Sequence, residues 1–224
     1  MTTFAQLQDE VQFHIRQRPD LNSFVKSKIN EAILDVMLLV KPPEFQSTTP
    51  ISTVANTSAY NLQATDDVLA ILGVRNGTTS VKANRRLLRG SYEEFDEQDQ
   101  DTSNASVTGT PTKFFRYANQ IIFYNKIPDA VYSMTVRVLE RPATLSLDAD
   151  VFPLELEWQE PVVLRAAQKM WALKGDEARY ALTGALFQES VGTILETIQS
   201  IENINDHDAG MRASTHSMTA TRNR

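Results

Sequence analysis

LNSFVKSKINEAILDVMLLV, residues Leu21 to Val40, is the segment from which the architecture of this chain is best read. Leu21, Phe24, Val25, Ile29, Ala32, Ile33, Val36, Met37 and Val40 recur at steps of three and four, which sets them on one stripe of an α-helix. Asp20 precedes the run as a candidate N-cap, and Pro19 breaks whatever comes before it. Pro42-Pro43 ends it, because proline has no amide hydrogen to donate and crowds the preceding turn. Toward the N-terminus, residues 3–16 predict a shorter helix with Phe4, Leu7, Val11 and Ile15 on one face.

Beyond Pro43 the period shortens from helix to strand. Phe45–Val54, Tyr60–Leu62 and Val68–Val74 read as strands between Asn-, Thr- and Ser-rich turns. Asn76-Gly77 predicts a tight primed turn, with Thr79–Lys82 as the return strand. Residues 84–100 read as locally helical, and 101–111 as a polar loop ending in Gly109-Thr110-Pro111. Lys113–Tyr117 and Gln120–Tyr124 flank a two-residue turn at Ala118-Asn119. Tyr132–Arg141 follows a turn at Pro128-Asp129. Its Met134, Val136 and Val138 alternate with Thr135, Arg137 and Leu139, as in a strand buried mainly on one face.

Helical spacing returns after Pro153. Val162-Val163, Ala166-Ala167 and Met170-Trp171 carry a helix to Lys174, with Pro161 in its first turn. Gly175-Asp176 separates it from a helix over Glu177–Asn203, on which Phe187, Val191, Ile194, Ile198 and Ile201 stand near heptad spacing. Past Asn205 only Met211 and Met218 are large and apolar, so this tail cannot bury enough surface to offset its ordering entropy. The expected fold is α+β. An α-helical bundle module of residues 1–43 and 151–204 is split by a β-rich insertion over 44–150 and followed by a flexible tail over 205–224.

Composition narrows the function. The chain has 224 residues, enough for a sizeable core, and a net charge of −6, which argues against a general attraction to nucleic acid. With no cysteine there is no disulfide, thiolate metal site or cysteine nucleophile. The N-terminal residues lack the basic-then-apolar pattern of a signal peptide, and the longest apolar run, Val36 to Val40, is too short to span a bilayer. The expectation is a soluble protein without membrane contact.

No polar constellation reads as an active site, and no cofactor or metal is expected. His14, His207 and His216 are scattered, without a companion at ligand spacing. Glu93, Glu94 and Asp96 can be imagined as glycosidase carboxylates, but they lie in an acidic run with no aromatic sugar platform beside them. Trp158 and Trp171 both read as helical, against a glycan-binding module. One block does stand out. Lys82, Arg85, Arg86 and Arg89 fall at helical spacing and are followed at once by Glu93, Glu94, Asp96, Glu97, Asp99 and Asp101. It reads either as a solvated helix or as a subunit contact in which the basic end of one copy meets the acidic end of the next.

A series of short stretches, in order, resembles the head-to-tail adaptor (connector) proteins of tailed bacteriophages. Ile29-Asn30-Glu31-Ala32 is similar to the family's IN-x-A stretch, and Tyr60-Asn61-Leu62 to its Y-x-L strand, followed by an acidic turn at Asp66-Asp67. Gly109-Thr110-Pro111 with Phe114-Phe115 resembles G-x-P-x-x-Y, with Phe where Tyr is usual. Ile127-Pro128-Asp129 with Tyr132 resembles P-x-P-D-x-x-Y, with Lys126 where the first Pro often stands. Arg141-Pro142 and Gly175-Asp176 complete the run.

The resemblance implies a virion structural protein rather than an enzyme: a dodecameric ring seated beneath the portal protein at the head-tail interface. It implies further partners in the tail nozzle or tail-tube protein, and genomic DNA that passes through the channel without specific binding. The C-terminal segment docks on the portal in such families. Here Arg212, Arg222 and Arg224 are then candidates to pair with portal carboxylates, and Met211 and Met218 to fill shallow apolar pockets. The rival readings are a tail-tube or nozzle protein and, from another class, a tail-associated cell-wall hydrolase.

Overall fold

In the computed structural model, residues 2–16, 21–62, 68–78, 85–97 and 106–197 are described. Among them the chain forms five α-helices and two four-stranded sheets, a mixed α+β fold. It divides into two compact units. One consists of the residues up to Val36 together with those from Thr144 onward; the other runs from Met37 to Ala143.

The first unit holds α1 (Phe4–His14), the greater part of α2 (Asn22–Val40), α4 (Gln159–Lys174) and α5 (residues 177–197). A capping box starts α1: the Thr3 hydroxyl accepts from the Gln6 amide, and the Gln6 side chain accepts from the Thr3 amide. Phe4, Leu7, Val11 and Ile15 are fully buried, as the spacing required, and α1 packs on α4. On α2 the buried stripe is Val25, Ile29, Ala32, Ile33 and Val36, whereas Phe24 lies beside it and is 48% exposed. Pro161 sits in the first turn of α4, and Gly175 closes that helix at φ 67°, a conformation that costs glycine nothing. α5 presents Thr183, Phe187 and Val191 to the interior at four-residue steps. Asp20, Ile198 and Ile201 lie outside the described residues.

The second unit is two sheets packed face to face. Sheet 1 has the order β1 (Gln46–Ser52), β8 (Ser133–Glu140), β3 (Val68–Asn76), β4 (Arg85–Arg86), all antiparallel. Sheet 2 has the order β2 (Ala59–Asn61), β7 (Gln120–Tyr124), β6 (Lys113–Tyr117), β5 (Leu88–Arg89), with β5 and β6 parallel. One core joins them, with Ile51, Val74, Met134 and Val136 from sheet 1 meeting Phe114, Ile121 and Phe123 from sheet 2. Pro50 is tolerated because β1 is an edge strand. The outer face of sheet 2 is covered as well: α3 (Tyr92–Asp96) lays Phe95 on Phe115, Ile122 and Tyr124. This is why β7 is apolar at four consecutive positions instead of alternating.

Two local expectations are corrected. Residues 84–100 are not one helix: Arg85-Arg86 and Leu88-Arg89 are strands of different sheets, and among the described residues of this stretch only Tyr92–Asp96 is helical. Leu87, 3% exposed in the core between the sheets, is the crossing point, and burying it outweighs the helical preference of its neighbours. Asn76-Gly77 is not a primed turn either. Asn76 is the last paired residue of β3, opposite Arg85, and neither residue has positive φ. The expected return strand, Thr79–Lys82, lies outside the described residues. Ala118-Asn119 is the two-residue turn that the spacing required, with Tyr117 paired to Gln120 and Ala118 at φ 50°.

Candidate functional site

In the first unit the signpost Ile29-Asn30-Glu31-Ala32 is built around Asn30. Asn30 donates through Nδ2 to the Leu145 carbonyl at 3.0 Å and to the Lys26 carbonyl at 3.0 Å. Its Oδ1 accepts from the Leu145 amide at 2.9 Å. One side chain thus pins the segment that returns from β8 onto α2. Its neighbours Ile29 and Ala32 are fully buried. Glu31 joins a chain of charges from α2 to α4: Lys28 to Glu31 at 2.6 Å, Lys169 to Asp35 at 3.0 Å and Arg165 to Asp35 at 2.7 Å. These residues hold the fold together; they do not aim at a cavity.

The signposts of the second unit are turn locks. The Tyr60 hydroxyl accepts from the Val54 amide at 2.9 Å and donates to the Thr57 carbonyl at 2.7 Å, closing the turn between β1 and β2. The Tyr132 hydroxyl donates to Asp129 at 2.5 Å, and the Ile127 carbonyl accepts from Gly109 at 2.8 Å. Gly109 stands at φ 148° with the Lys126 side chain against it, so its place in the turn is one that a larger residue would strain.

No group of three or more His, Cys, Asp or Glu among the described residues is placed to hold a metal ion. His14 is edge-on to the exposed Phe13, while His207 and His216 lie outside the described residues. Glu94 is held below the usual carboxylate range, first by the Lys113 ammonium at 2.8 Å and then by the Tyr124 hydroxyl at 2.6 Å. Glu93 is lowered by its own backbone amide and the Ser91 hydroxyl. A glycosidase acid needs the opposite shift. Tyr124 itself is pushed up to about 12 by burial and by Glu94. Trp158 and Trp171 are both buried, so neither offers a platform to a sugar.

What the structure does assemble is charge on two faces of the β unit. In sheet 1 the inner face takes Met134, Val136 and Val138, so Thr135 and Arg137 point outward. The register sets Arg137 opposite both Thr48 and Gly73, and Arg75 opposite both Thr135 and Arg86. Three guanidinium groups therefore share one face around a depression of about 360 Å³, which Gly73, Thr48 and Thr135 also line. Arg137 donates to Gln46 through Nε at 2.8 Å; among the described residues no carboxylate pairs with Arg75, Arg86 or Arg137. On the other side, α3 carries Glu93, Asp96 and Glu97 exposed, with Glu94 tied to Lys113.

The block expected from sequence is thus divided. Arg86 faces outward on sheet 1, Arg89 is exposed on the edge strand of sheet 2, Arg85 is a strand residue, and Lys82 lies outside the described residues. Of the acidic half, Glu93, Glu94 and Asp96 share one short helix that Glu97 caps, while Asp99 and Asp101 lie outside the described residues. Met211, Arg212, Met218, Arg222 and Arg224 also lie outside the described residues. Arg75 and Arg137 were missed as site candidates. Strand alternation could have placed Arg137 outward, but the neighbours of both depend on which strands pair, with bulges in β3 on either side of Ile71. Among the described residues no helix is long and apolar enough to cross a membrane.

Compared with known proteins, residues 2–215 match a family model described as "SU10 adaptor protein". No curated protein matches the chain.

Proposed function

This chain belongs to the SU10 adaptor protein family, and from that premise we propose that it forms a ring beneath the portal which joins capsid to tail and extends the DNA channel. The observation that carries the reading is the extent of the match, residues 2–215, which takes in both compact units. The physical features agree with a structural component. Its distinctive side chains lock turns and segments or are charges displayed on surfaces, and the Glu94 carboxylate on α3 is held low by its ion pair with Lys113. An excess of acid over base suits a channel wall past which DNA slides without being gripped.

In this reading the ring has twelve copies, opposite charges on adjacent copies hold its register, and residues 205–224 dock on the portal. That segment gains contact area on binding at an entropic cost. Arg212, Arg222 and Arg224 supply charge-assisted hydrogen bonds to portal carboxylates, and Met211 and Met218 enter apolar pockets. The β unit faces neighbouring copies or the next tail component.

Co-sedimentation of the purified chain with portal rings from the same source, full-length and ending at residue 205, tests the proposal. The expected result is saturable binding near one copy per portal subunit, lost on truncation while the unfolding midpoint stays unchanged. Wild-type retention of the truncated form would show that the tail is not the docking segment. No retention of either form would move the chain further down the tail, to be tested against tube and nozzle components.

A further inference from the structure

The arginine face and α3 lie on opposite sides of one β unit. The two sheets meet through their inner faces, the arginines stand on the outer face of sheet 1, and α3 covers the outer face of sheet 2. The two faces match in chemistry as well as sign. A guanidinium takes a carboxylate in two parallel hydrogen bonds and also stacks on aromatic rings. Beside the α3 acids, Tyr92 and Tyr117 are stacked at 5.6 Å and each is about half exposed. A twofold pairing through either face would set arginine on arginine or acid on acid. Moving the acidic face of one copy onto the basic face of the next sets each charge against its opposite, the heterologous arrangement from which rings are built.

We propose that Arg75, Arg86 and Arg137 of one copy receive the α3 helix of a second copy of this chain, with Glu93, Asp96 and Glu97 as the acidic partners. The depression that the three arginines line admits a carboxylate between the guanidinium groups, and Tyr92 lies against the arginine stems. This contact rests on the ring reading above and deepens it. The basic partner is a cross-strand group set by sheet register, not the contiguous run expected from sequence. Because both surfaces lie near the solvent, their charges set register and salt dependence more than total affinity.

The chain has no cysteine, so a disulfide can report the contact. Full-length protein carrying both Thr135→Cys and Glu97→Cys is oxidised on portal rings and free in solution. A ladder of cross-linked species is expected from the double variant. An equal mixture of the two single variants should give dimers and nothing longer. Arg75→Glu with Arg137→Glu should reduce cross-linked species about tenfold or more without moving the unfolding midpoint. Adding Glu93→Arg and Asp96→Arg to that same chain should restore self-association, read by sedimentation. Efficient cross-linking of a single variant with itself, or no rescue by the swap, overturns the proposal. If the wild type is retained on portal rings but the double variant gives no ladder, this contact is wrong and the ring reading stands. If the wild type is not retained and no cross-link forms in solution, both fall.

Discussion

Gly90 sits where no side chain fits: a Cβ built on it would lie 1.3 Å from the Tyr124 hydroxyl oxygen and 2.5 Å from its Cζ. The glycine lets β5 end against β6, its amide donating to Phe114 at 2.9 Å, directly under the ring that α3 covers. Gly90→Ala should therefore cost about 3 kcal/mol in chemical denaturation. Tyr124→Phe should recover only part of that, since Cζ remains. Asn30 makes a second prediction at this scale. Replacing it with alanine strands the Leu145 amide and carbonyl, and the expected loss is about 2 kcal/mol. Aspartate keeps the acceptor for Leu145 but lacks both donors, so its loss should be only slightly smaller. Equal stability of wild type and Asn30→Ala would refute the pin. The prominence of Asn30 and Tyr60 could be read from sequence as signposts, but their partners, at Leu145 and in the Val54–Thr57 turn, could not.

Between α2 and α4 the ion network gives the elements a pH dependence. Burial by itself pushes the Asp35 carboxyl up, but hydrogen bonds from Arg165 and Lys169 outweigh it, and the net shift from 3.8 is downward. Glu31 is lowered chiefly by Lys28, against a smaller opposing effect of burial. A carboxylate with a depressed folded-state pKa stabilises above its unfolded pKa, and the contribution is lost as pH falls through the folded value. Thermal midpoints of wild type and Asp35→Asn should thus differ most near neutral pH and converge below about pH 4. At pH 7 the variant should be weaker by about 1–3 kcal/mol, since it leaves Arg165 and Lys169 without their shared partner. A difference that stays constant from pH 7 to pH 3 would mean that packing, not charge, links the two helices. The helices themselves were legible because their apolar spacing follows the helical period. The segment 84–100 was not, because its short strands owe their state to Leu87 between the sheets and to Gly90 against Tyr124.

At the scale of the molecule, the core of the β unit among the described residues draws on residues 51–138, so it should not need the rest of the chain to form. Residues 41–143 expressed alone should unfold cooperatively and give dispersed amide resonances; a molten or insoluble fragment would show that the helical residues complete its core. The sequence by itself determined the alternation of helical and strand-forming regions, the buried faces of α1, α2 and α4, the β6–β7 hairpin and the family to which the order of signposts pointed. Those features depend on period, proline, glycine and local turn chemistry, all of which act between residues a few positions apart. Only the tertiary structure decided that sheet 1 brings Arg75, Arg86 and Arg137 together, that Arg86 and Arg89 belong to different sheets, and that the arginine face and α3 lie on opposite sides of one unit. Strand order, bulges and register are set by which faces bury together across long stretches of chain, and no local pattern records them.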